Sequence, residues 1–469
     1  MATAIETIEL TLDQQTAFEY YKQGLNIFVT GSGGTGKSAL VNKIKNHAIG
    51  KSKQIAITAT TGAASLLING RTIFSWAGIQ LGTDPVEKLL ARIRVNKDIL
   101  ARWTKCDILV IDEISMLDSS VFEKLMTIKQ TLRPALQLIL VGDFLQLLPV
   151  SSDRPAESKN LRFSFETAAW AKNIQKSIQL TTIKRQTHPE FCRALQEIRI
   201  GATSPETIKL LESRLIKNLV PPTLSSSTIA ELGKNGLNPT IAELGKNGIY
   251  PTVMYANKKT VSDKNAIELL KLKKTATNIG TVKTKFHAKK TVANCGKELN
   301  DRQKDYLITN TLKSVPCEDV LELAVGAQCM VIYNIGPELV NGSRGVVTEL
   351  APLEPRNEQW VKIRLLTGAE VIIEPVTWNH EIDPHSRVCV RITQIPLILA
   401  YSMTIHKSMG SSIDYVMADL GASIFAEGQM YVALSRVRSL EGLFLSDFDP
   451  TKVLVNAKVK QYYSGFKNS

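Results

Sequence analysis

The sequence predicts an α/β protein built on parallel β-sheets. In the first 150 residues, short apolar runs rich in β-branched residues are bounded by Gly, Asp or Thr and alternate with longer amphipathic segments. Buried strands that alternate with helices form parallel sheets covered on both faces. Ligands of such sheets bind at the carboxyl ends of the strands, so we expect functional residues in the loops that follow the apolar runs. The strand-like runs are 25–30, 54–58, 108–112 and 136–143, and the helical patterns include 38–48 and 118–132.

The composition limits the class of protein. Of 469 residues, 44% are apolar and 22% are charged, which is typical of globular chains that form about three domains at this length. No apolar run reaches the roughly 18 residues of a membrane span, and the first residues, MATAIETIEL, do not resemble a signal or transit peptide. The six cysteines are scattered without a CxxC pair. This argues against a zinc site or disulfide framework and predicts a reducing compartment, cytoplasm or nucleus, including those of a virus-infected host.

The net charge indicates a polyanionic partner without proving one. Lys and Arg number 57 against 44 Asp and Glu, which gives a formal charge of +13. A basic excess spread over a large chain suits nucleic acid. A merely basic protein would have the same totals, so charge alone leaves both interpretations open.

The pattern of apolar runs predicts two α/β lobes, the second of them interrupted. The first lobe is expected to cover residues 1–160. A second α/β region begins near residue 161 and extends to 265, and similar character returns at 393–469. The stretch between them, 266–392, is lysine-rich at first and then has short strand-like runs, which predicts an inserted β-rich domain.

A tandem repeat interrupts the second α/β region. TIAELGKNGLNP is followed at once by TIAELGKNGIYP, together spanning 228–251. Each unit opens with a capping box and ends in turn signals and a proline. One period repeated twice is too short for a solenoid. A duplicated surface loop and a contact element peculiar to this protein remain the two interpretations.

The loop after the first strand has the pattern of a phosphate-binding loop. GSGGTGKS fits GxxxxGK[ST] between a strand and a helix. Its glycines let backbone amides point at phosphate oxygens, beside a helix N-terminus that favours negative charge. Lys37 is expected to reach the β- and γ-phosphates of ATP, and Ser38 to bind Mg²⁺. The predicted nucleotide-binding residues of the loop are Gly31, Ser32, Gly33, Gly34, Thr35, Gly36, Lys37 and Ser38.

Two further strand ends complete a predicted catalytic set. ILVIDE places Asp112 at the end of a strand, where it would hold Mg²⁺ directly or through water, and Glu113 beside it would orient and deprotonate the attacking water. An Asp-Glu pair after an apolar run is often only a strand terminus, but the upstream phosphate loop favours function. In VGDFLQLLPV, Gln146 follows another strand and could sense the γ-phosphate.

An ordered series of motifs resembles the Pif-type, RecD-related DNA helicases of superfamily 1, in its 5′-to-3′ branch. The resemblance runs from about residue 10 to 448. The motifs are LTLDQQ, GSGGTGKS, ITATTGAAS, ILVIDEISML, VGDFLQLLPV, KRQ (184–186), LVNGSRGVV (339–347), TIHKSMG (404–410) and GQMYVALSRV (428–437).

The resemblance implies an architecture and an activity. It implies two RecA-like lobes, a small wedge near 80–103, and an SH3-like β-barrel inserted in the second lobe. A chain of this kind would bind single-stranded DNA and duplex junctions, move 5′ to 3′ by Mg-ATP hydrolysis between its lobes, and work as a monomer. Gln14 would then read the adenine edge, and Arg185 and Arg436, from the second lobe, would be arginine fingers on the γ-phosphate.

DNA contacts are implied along several motifs. Thr58 and Thr60 would bind phosphates, and Tyr255 is a further contact. Phe74 and Trp76 would offer base-stacking faces, although packing in the core is the alternative for both. These roles come from the resemblance, since the residues alone do not establish them.

The segment TIHKSMGSS suggests a nucleophilic Ser–His pair only at first sight. Such a pair needs an acid partner and an oxyanion site, and the neighbouring sequence supplies neither. By its position in the family pattern it is a DNA-facing loop. Thr404, His406, Lys407 and Ser408 would bind backbone phosphate, and Gly410 would allow close approach.

Some positions depart from the family pattern. HKSQG of the family reads HKSMG here, which puts Met409 where relatives have glutamine. TIHSF reads TIFSW, and the predicted wedge has no distinctive signal. None of these changes involves the predicted hydrolytic residues, so they bear on the coupling of hydrolysis to DNA. The departures support an alternative hypothesis, an ATPase that grips single strands without unwinding. A P-loop ATPase of another kind, a ring-type remodeller, is a further alternative. Replication, recombination and repair are not distinguished.

Overall fold

The chain divides into two units. The computed structural model describes residues 9–68, 70–148, 163–219, 249–275, 283–293, 299–336, 339–351, 359–383 and 388–468. Unit 1 comprises Met1–Thr187 and Val455–Ser469, and unit 2 comprises His188–Leu454. The chain therefore leaves unit 1, forms unit 2, and then returns to unit 1.

Unit 1 contains a six-stranded parallel sheet with strand order β3-β2-β4-β5-β1-β6. The predicted apolar runs form its interior. Every residue of β1, β4 and β5 is buried, as expected of parallel strands covered on both faces. The strands are β1 (Ile27–Gly31), β2 (Ile55–Ala59), β3 (Arg71–Thr72), β4 (Ile108–Asp112), β5 (Gln137–Val141) and β6 (Lys176–Leu180).

Helices cover the two faces of this sheet with separate apolar cores. Tyr21, Leu40 and Ile44 pack on one side, and an aromatic-rich cluster that includes Phe122 and Trp170 packs on the other. The helices are α1 (Leu12–Lys22), α2 (Lys37–Gly50), α3 (Gly62–Leu67), α4 (Ile73–Ala77), α5 (Val86–Val95), α6 (Lys97–Lys105), α7 (Ser119–Leu132) and α8 (Ala168–Asn173).

The last strand of this sheet corrects a predicted boundary. We expected the second lobe to begin at 161, but β6 pairs in parallel with β1, from Ile27 opposite Lys176 to Gly31 opposite Leu180. Local sequence does not show which sheet a strand joins, because the pairing spans about 150 residues of chain. The first lobe therefore extends past β6.

The C-terminal segment corrects a second boundary. We assigned all of 393–469 to the second lobe, but the last α-helix packs in unit 1. Its residues Val459 and Tyr463 belong to the aromatic-rich core of unit 1. The apolar face of this helix is thus buried against a sheet whose last strand ends more than 270 residues earlier in the chain.

The region predicted as a wedge, 80–103, is mainly a pair of short helices, α5 and α6. Asn96 separates them and caps α6, accepting a hydrogen bond from the backbone N–H of Ile99 at 2.9 Å. Ile93 and Trp103 from the two helices enter the unit 1 core. Apolar packing thus holds the pair of helices in unit 1. The charged residues between these apolar positions make that packing hard to recognise from the sequence.

Unit 2 contains a four-stranded parallel sheet with strand order β18-β7-β19-β20. Its strands come from two separated stretches of sequence, as predicted for an interrupted lobe. The elements of this part are α9 (Pro189–Arg199), α10 (Pro205–Glu212), α11 (Ile216–Leu219), β7 (Thr252–Tyr255), β18 (Ser402–Thr404), β19 (Val416–Leu420), α14 (Gln429–Leu434) and β20 (Leu443–Phe448); α15 (Ala457–Ser464) follows in unit 1.

The intervening part of unit 2 is mainly antiparallel. Its sheets have the orders β14-β13-β12-β11-β17, β15-β16-β9 and β10-β8. The elements are α12 (Lys258–Thr275), β8 (Lys283–His287), β9 (Lys289–Ala293), α13 (Asp301–Ser314), β10 (Val320–Ala324), β11 (Gln328–Val331), β12 (Arg344–Leu350), β13 (Val361–Leu365), β14 (Glu370–Ile373), β15 (Val376–Asp383), β16 (Val388–Gln394) and β17 (Leu397–Leu399).

The bounds of this insertion differ from the predicted 266–392. Helix α12 continues across the predicted start, and β17 pairs with β11 beyond the predicted end. The tandem repeat at 228–251 lies outside the described residues as far as position 248. Within the described ranges, no helix is both long and apolar enough to cross a bilayer.

Candidate nucleotide site and strand-end loops

The loop between β1 and α2 has a backbone that only glycine adopts easily. Gly34 and Gly36 have φ values of +85° and +83°, in the left-handed region that other residues enter at a cost. A side chain at Gly34 would collide with Arg185, and one at Gly36 would collide with the amide of Gln14. The glycines therefore let two of the predicted site residues approach the loop closely.

Gln14 supports the loop from α1. Its side chain is 1% exposed, and Nε2 donates hydrogen bonds to the carbonyl oxygens of Thr35 (3.0 Å) and Gly36 (3.3 Å). Its Oε1 accepts a hydrogen bond from the backbone N–H of Thr11 at 3.0 Å. Both ends of the amide are thus engaged with protein, whereas the resemblance implied contact with adenine.

Lys37 is the first residue of α2, and its side chain extends back over the phosphate loop. Its Nζ donates to the carbonyl oxygens of Gly31 (2.7 Å) and Ser32 (3.0 Å). Gly36, the residue before the helix, has no side chain with which to cap it. The first amides of α2 are therefore positioned as donors for an anion at the helix start, where the helix dipole also favours negative charge. Ser38 is the next residue of this turn.

Asp112 ends β4, which is separated from β1 by β5, and Glu113 follows it. Burial raises the pKa of the Asp112 carboxyl, an effect opposed by a hydrogen bond from the Glu113 N–H and by the charge of Lys37. Glu113 has a φ of +53°, a left-handed conformation that costs a non-glycine residue about 1 kcal/mol. The Thr60 hydroxyl donates to the Glu113 carbonyl at 2.9 Å. This contact helps to fix the strained backbone of the predicted base.

Gln146 lies in the loop after β5 and bonds to a carboxylate outside the predicted set of site residues. Its Nε2 donates to Oδ2 of Asp143 at 3.2 Å, and both residues are buried. The other oxygen of Asp143 accepts a hydrogen bond from the Tyr463 hydroxyl at 3.1 Å. Asp143 was detectable as a strand-end carboxylate like Asp112. Tyr463 was not, because nothing in QYYSG relates it to β5.

Arg185 belongs to unit 1, and its predicted origin in the second lobe is wrong. The preceding residue, Lys184, donates its backbone N–H to the carbonyl oxygen of Gly34 at 2.8 Å. The reason is the position of β6, which ends a few residues earlier in the unit 1 sheet. Arg185 is therefore beside the phosphate-loop backbone.

Arg436 lies in unit 2, just after α14, and is buried. Its Nε donates to the carbonyl oxygen of Val432 at 2.9 Å, and Nη2 donates to Oγ of Ser435 at 2.7 Å. Its guanidinium is thus held against the C-terminal end of its own helix, whose dipole favours a positive charge.

Two of the predicted DNA contacts in unit 1 are core residues. Thr58 is fully buried in β2, and its hydroxyl donates to the carbonyl oxygen of Val110 at 2.7 Å. Trp76 is 6% exposed and packs on Trp103, with ring centroids 4.8 Å apart. The predicted phosphate contact of Thr58 and base-stacking by Trp76 are therefore wrong, because strand and helix geometry turn both side chains inward. Phe74 is half-buried against the same core.

In unit 2, the predicted DNA contacts collect at one sheet edge. Tyr255 ends β7 and is paired with Thr404, which ends β18. The Thr404 hydroxyl accepts a hydrogen bond from the Lys407 backbone N–H at 3.1 Å. Ser408 is an exception, since it is fully buried and its hydroxyl donates to the Ile405 carbonyl at 2.7 Å. Its predicted side-chain contact with phosphate is wrong.

Two basic side chains of this loop have lowered pKa values. Burial lowers the pKa of His406, and the charge of Lys258 lowers it further. Lys407 has an exposed surface, yet burial around its ammonium group lowers its pKa, an effect opposed by Glu318. The loop thus presents a lysine that is only partly solvated and an imidazole that favours its neutral form.

A glycine-rich loop between a parallel strand and a helix, with a buried carboxylate at a nearby strand end, defines a P-loop nucleotide-binding protein. A model described as PIF1-like helicase matches residues 9–207, and one described as the 2B domain of DNA helicase Pif1 matches residues 308–350. The solved structure of Pif1 helicase from Candida albicans is 32% identical with a TM-score of 0.75, and the match covers 98% of this chain and 100% of that one. The chain belongs to the Pif1-like helicase family.

Two curated relatives are named for the same family, and the matches cover only part of their length. ATP-dependent DNA helicase PIF1 of Danio rerio is 33% identical over 97% of this chain and 64% of its own length. That of Emericella nidulans is 31% identical over 94% of this chain and 61% of its own length. The chain thus spans less than two thirds of these relatives. The predicted fold of two RecA-like lobes with parallel sheets and a β-rich insertion is confirmed by the structural match.

Proposed function

We propose that the chain is an ATP-dependent DNA helicase that moves 5′ to 3′ along single-stranded DNA and unwinds duplexes. One observation carries the ATPase part: Lys37, Asp112, Glu113 and Gln146 all lie at the carboxyl end of one parallel sheet. Relatives whose matches cover most of this chain are named ATP-dependent DNA helicases, which supports DNA as the substrate. Direction rests on the family resemblance.

The phosphate loop would hold ATP through backbone and charge. Gly34 and Gly36 adopt the left-handed backbone that lets the amides of such a loop point at phosphate. Lys37 would exchange its bonds to the Gly31 and Ser32 carbonyls for the β- and γ-phosphates. A charge-assisted contact with phosphate is stronger than one with a neutral carbonyl.

Ser38 and Asp112 would hold Mg²⁺. Hydroxyl and carboxylate oxygens are ligands that this hard cation prefers, with water and phosphate completing its coordination. The buried Asp112 carboxyl, whose pKa is raised by desolvation, fits this role because a neighbouring cation would offset the cost of its charge. When bound, Mg²⁺ neutralises charge on the β- and γ-phosphates.

Three residues of unit 1 would act on the water and the γ-phosphate. Glu113 would accept the proton of the attacking water, held in place by its fixed backbone. Gln146 would contact the water or the γ-phosphate through its amide. Arg185, beside Gly34, would stabilise charge that develops on the γ-phosphate. Arg436 remains a second finger implied by the resemblance.

The DNA-facing residues would be polar groups at strand ends. The half-buried Phe74 would serve in unit 1, where Thr60 could donate to phosphate only by giving up its bond to the Glu113 carbonyl. Tyr255, Thr404, His406 and Lys407 would serve in unit 2. The formal charge of +13 favours a polyanion. We propose single-stranded DNA and duplex junctions as the substrates and a monomer as the working motor, with an ATPase rate per chain independent of concentration.

Free thiols among the described residues support a reducing compartment, the cytoplasm or the nucleus. Burial raises the pKa of Cys106 and Cys317 to about 11 and that of Cys329 to about 12. Such thiols are mainly protonated and unreactive at neutral pH. The free cysteines are Cys106, Cys192, Cys317, Cys329 and Cys389.

Unwinding of matched 5′-tailed and 3′-tailed duplexes with ATP and Mg²⁺ tests the proposal, together with ATPase rates with and without single-stranded DNA. We expect unwinding of the 5′-tailed duplex and strong stimulation of ATPase by DNA. Lys37→Ala should abolish both. Lys53→Ala is the matched control, since it removes an exposed lysine of the same unit outside the phosphate loop.

Each part of the proposal has its own contrary result. Preference for the 3′-tailed duplex would overturn the direction. DNA-stimulated ATPase without unwinding of either duplex would favour a strand-gripping ATPase. A rate per chain that rises with protein concentration would favour a ring-type assembly, and a basal rate unaffected by DNA would overturn the motor.

A further inference from the structure

The hydroxyl group of Tyr463 joins the carboxyl ends of two strands. It bonds to the hydroxyl of Thr30, next to the end of β1, at 2.6 Å, and it accepts the backbone N–H of Phe144, after β5, at 3.1 Å. It also bonds to Oδ1 of Asp143 at 3.1 Å. Because a carboxylate only accepts hydrogen bonds, the tyrosine proton is directed to Asp143. The hydroxyl of Thr30 then donates to the tyrosine oxygen.

Asp143 bonds to both Tyr463 and Gln146, so it links the two side chains. The carboxylate is fully buried; Oδ1 accepts from Tyr463 and from the Leu145 backbone N–H (3.2 Å), and Oδ2 accepts from Nε2 of Gln146. The acceptor-only carboxylate requires the nitrogen end of the Gln146 amide to face it. The carbonyl Oε1 is consequently the end directed away from Asp143.

We propose that Tyr463 is a positioning residue for Gln146. Its hydroxyl fixes the Asp143 carboxylate, which in turn fixes the amide of Gln146 with its oxygen available as an acceptor for the attacking water. The inference rests on the proposed ATPase function and adds a dependence that the motifs do not contain. The residue that orients the γ-phosphate sensor comes from α15, which follows all of unit 2 in the chain.

The neighbouring tyrosine provides a matched comparison. Tyr462 is on the same helix, and burial raises the pKa of its hydroxyl to about 12, with side-chain hydrogen bonds to Ser177 and Trp170 lowering it. Both rings pack in or against the unit 1 core. Tyr→Phe at either position removes one hydroxyl and keeps the ring, so Tyr462→Phe controls for the loss of a tyrosine hydroxyl from this helix. Only Tyr463→Phe removes the contacts with Asp143, Thr30 and the Phe144 N–H.

The test is a double-mutant cycle on DNA-stimulated ATPase. We expect Tyr463→Phe to lower kcat about tenfold, the effect of losing one hydrogen bond to a charged group, while KM for ATP changes less than about twofold. Tyr462→Phe should leave kcat within about twofold at a comparable Tm. In a Gln146→Ala background, Tyr463→Phe should cause little further loss.

Contrary results are distinguishable. An unchanged kcat in Tyr463→Phe, an equal loss in Tyr462→Phe, or a full further loss in the Gln146→Ala background would each overturn the positioning role while the ATPase stands. A wild-type chain with no DNA-stimulated ATPase would overturn the proposed function and this inference together.

Discussion

The side-chain amide of Gln14 donates a hydrogen bond to the carbonyl oxygen of Thr35, 3.0 Å away, and a second to Gly36. A residue from the first helix therefore contacts the backbone of the phosphate loop directly and helps to set its shape. The resemblance assigns Gln14 to the adenine edge. These two roles make opposite predictions about nucleotide specificity.

We predict that Gln14→Ala weakens binding of ATP and GTP alike. Loss of two hydrogen bonds to the loop corresponds to about 1–2 kcal/mol, or roughly 5- to 30-fold in Kd. Fluorescence titration with both nucleotides measures it. Gln15→Ala is the control, since its exposed amide bonds only to the Leu10 carbonyl among the hydrogen bonds described. A loss confined to ATP would restore the adenine-reading role.

We predict that Glu113→Gly and Glu113→Ala both abolish hydrolysis but differ in stability. Each removes the proposed base, which should lower kcat about 10²- to 10⁴-fold. Glycine alone also relieves the left-handed backbone at φ +53°. It should therefore unfold about 2–4 °C above the alanine variant in a thermal scan. Equal Tm values would contradict strain at this position.

We predict that Trp76→Ala destabilises unit 1. Removing a tryptophan packed on Trp103 should cost about 3–5 kcal/mol in the free energy of unfolding, measured by urea denaturation. Phe74→Ala, two residues earlier and less buried, should cost less and should weaken DNA binding more. A stable Trp76→Ala variant with weakened DNA binding would contradict this prediction and would indicate that Trp76 contacts DNA.

We predict that affinity for single-stranded DNA rises as the pH falls from about 7.5 to about 5.5, through His406. Burial and Lys258 hold its pKa below 6.5, so the ring is neutral at pH 7. Phosphate favours the protonated ring, so the gain in affinity appears as the pH drops towards the pKa. His406→Gln should remove the His406 part of this dependence. His47→Gln, a histidine of α2 in unit 1 whose pKa is also lowered, should keep it. Identical pH profiles for all three proteins would exclude His406 from the DNA surface.

We predict that Met409→Gln tightens coupling between hydrolysis and strand separation. Met409 stands where the family pattern has glutamine and cannot make the same hydrogen bonds. The measurement is base pairs unwound per ATP consumed, which should increase in the variant. An unchanged ratio would show that this position does not limit coupling.

The sequence was sufficient for the residues of the phosphate loop because their motif is local. Lys37, Asp112, Glu113 and Gln146 follow strands that are recognisable from short apolar runs, and the structure places them at one sheet edge. The direction in which a side chain points was harder to predict from the sequence. Thr58 and Ser408 fit a phosphate-binding motif, yet their hydroxyls bond to backbone carbonyls in the interior.

Pairing and contacts between residues far apart in the chain could not be predicted from the sequence either. The stretch 176–180 could have joined either sheet, and only its register with 27–31 assigns it to unit 1. The position of Arg185 follows from that pairing and was wrong for the same reason. Tyr463 could not be found at all, because its partners Thr30 and Asp143 are more than 300 residues away in sequence.

The return of α15 to unit 1 sets an order of events during synthesis. Val459 and Tyr463 belong to the core of unit 1, so that core stays incomplete while the ribosome makes all of His188–Leu454. At about 5–20 residues per second this interval lasts roughly 13–53 seconds. During it the part of the aromatic-rich core that Val459 and Tyr463 cover is exposed, and such apolar surface is prone to aggregation and to chaperone binding. The proposed contact of Tyr463 with Asp143 can therefore form only after α15 has been synthesised.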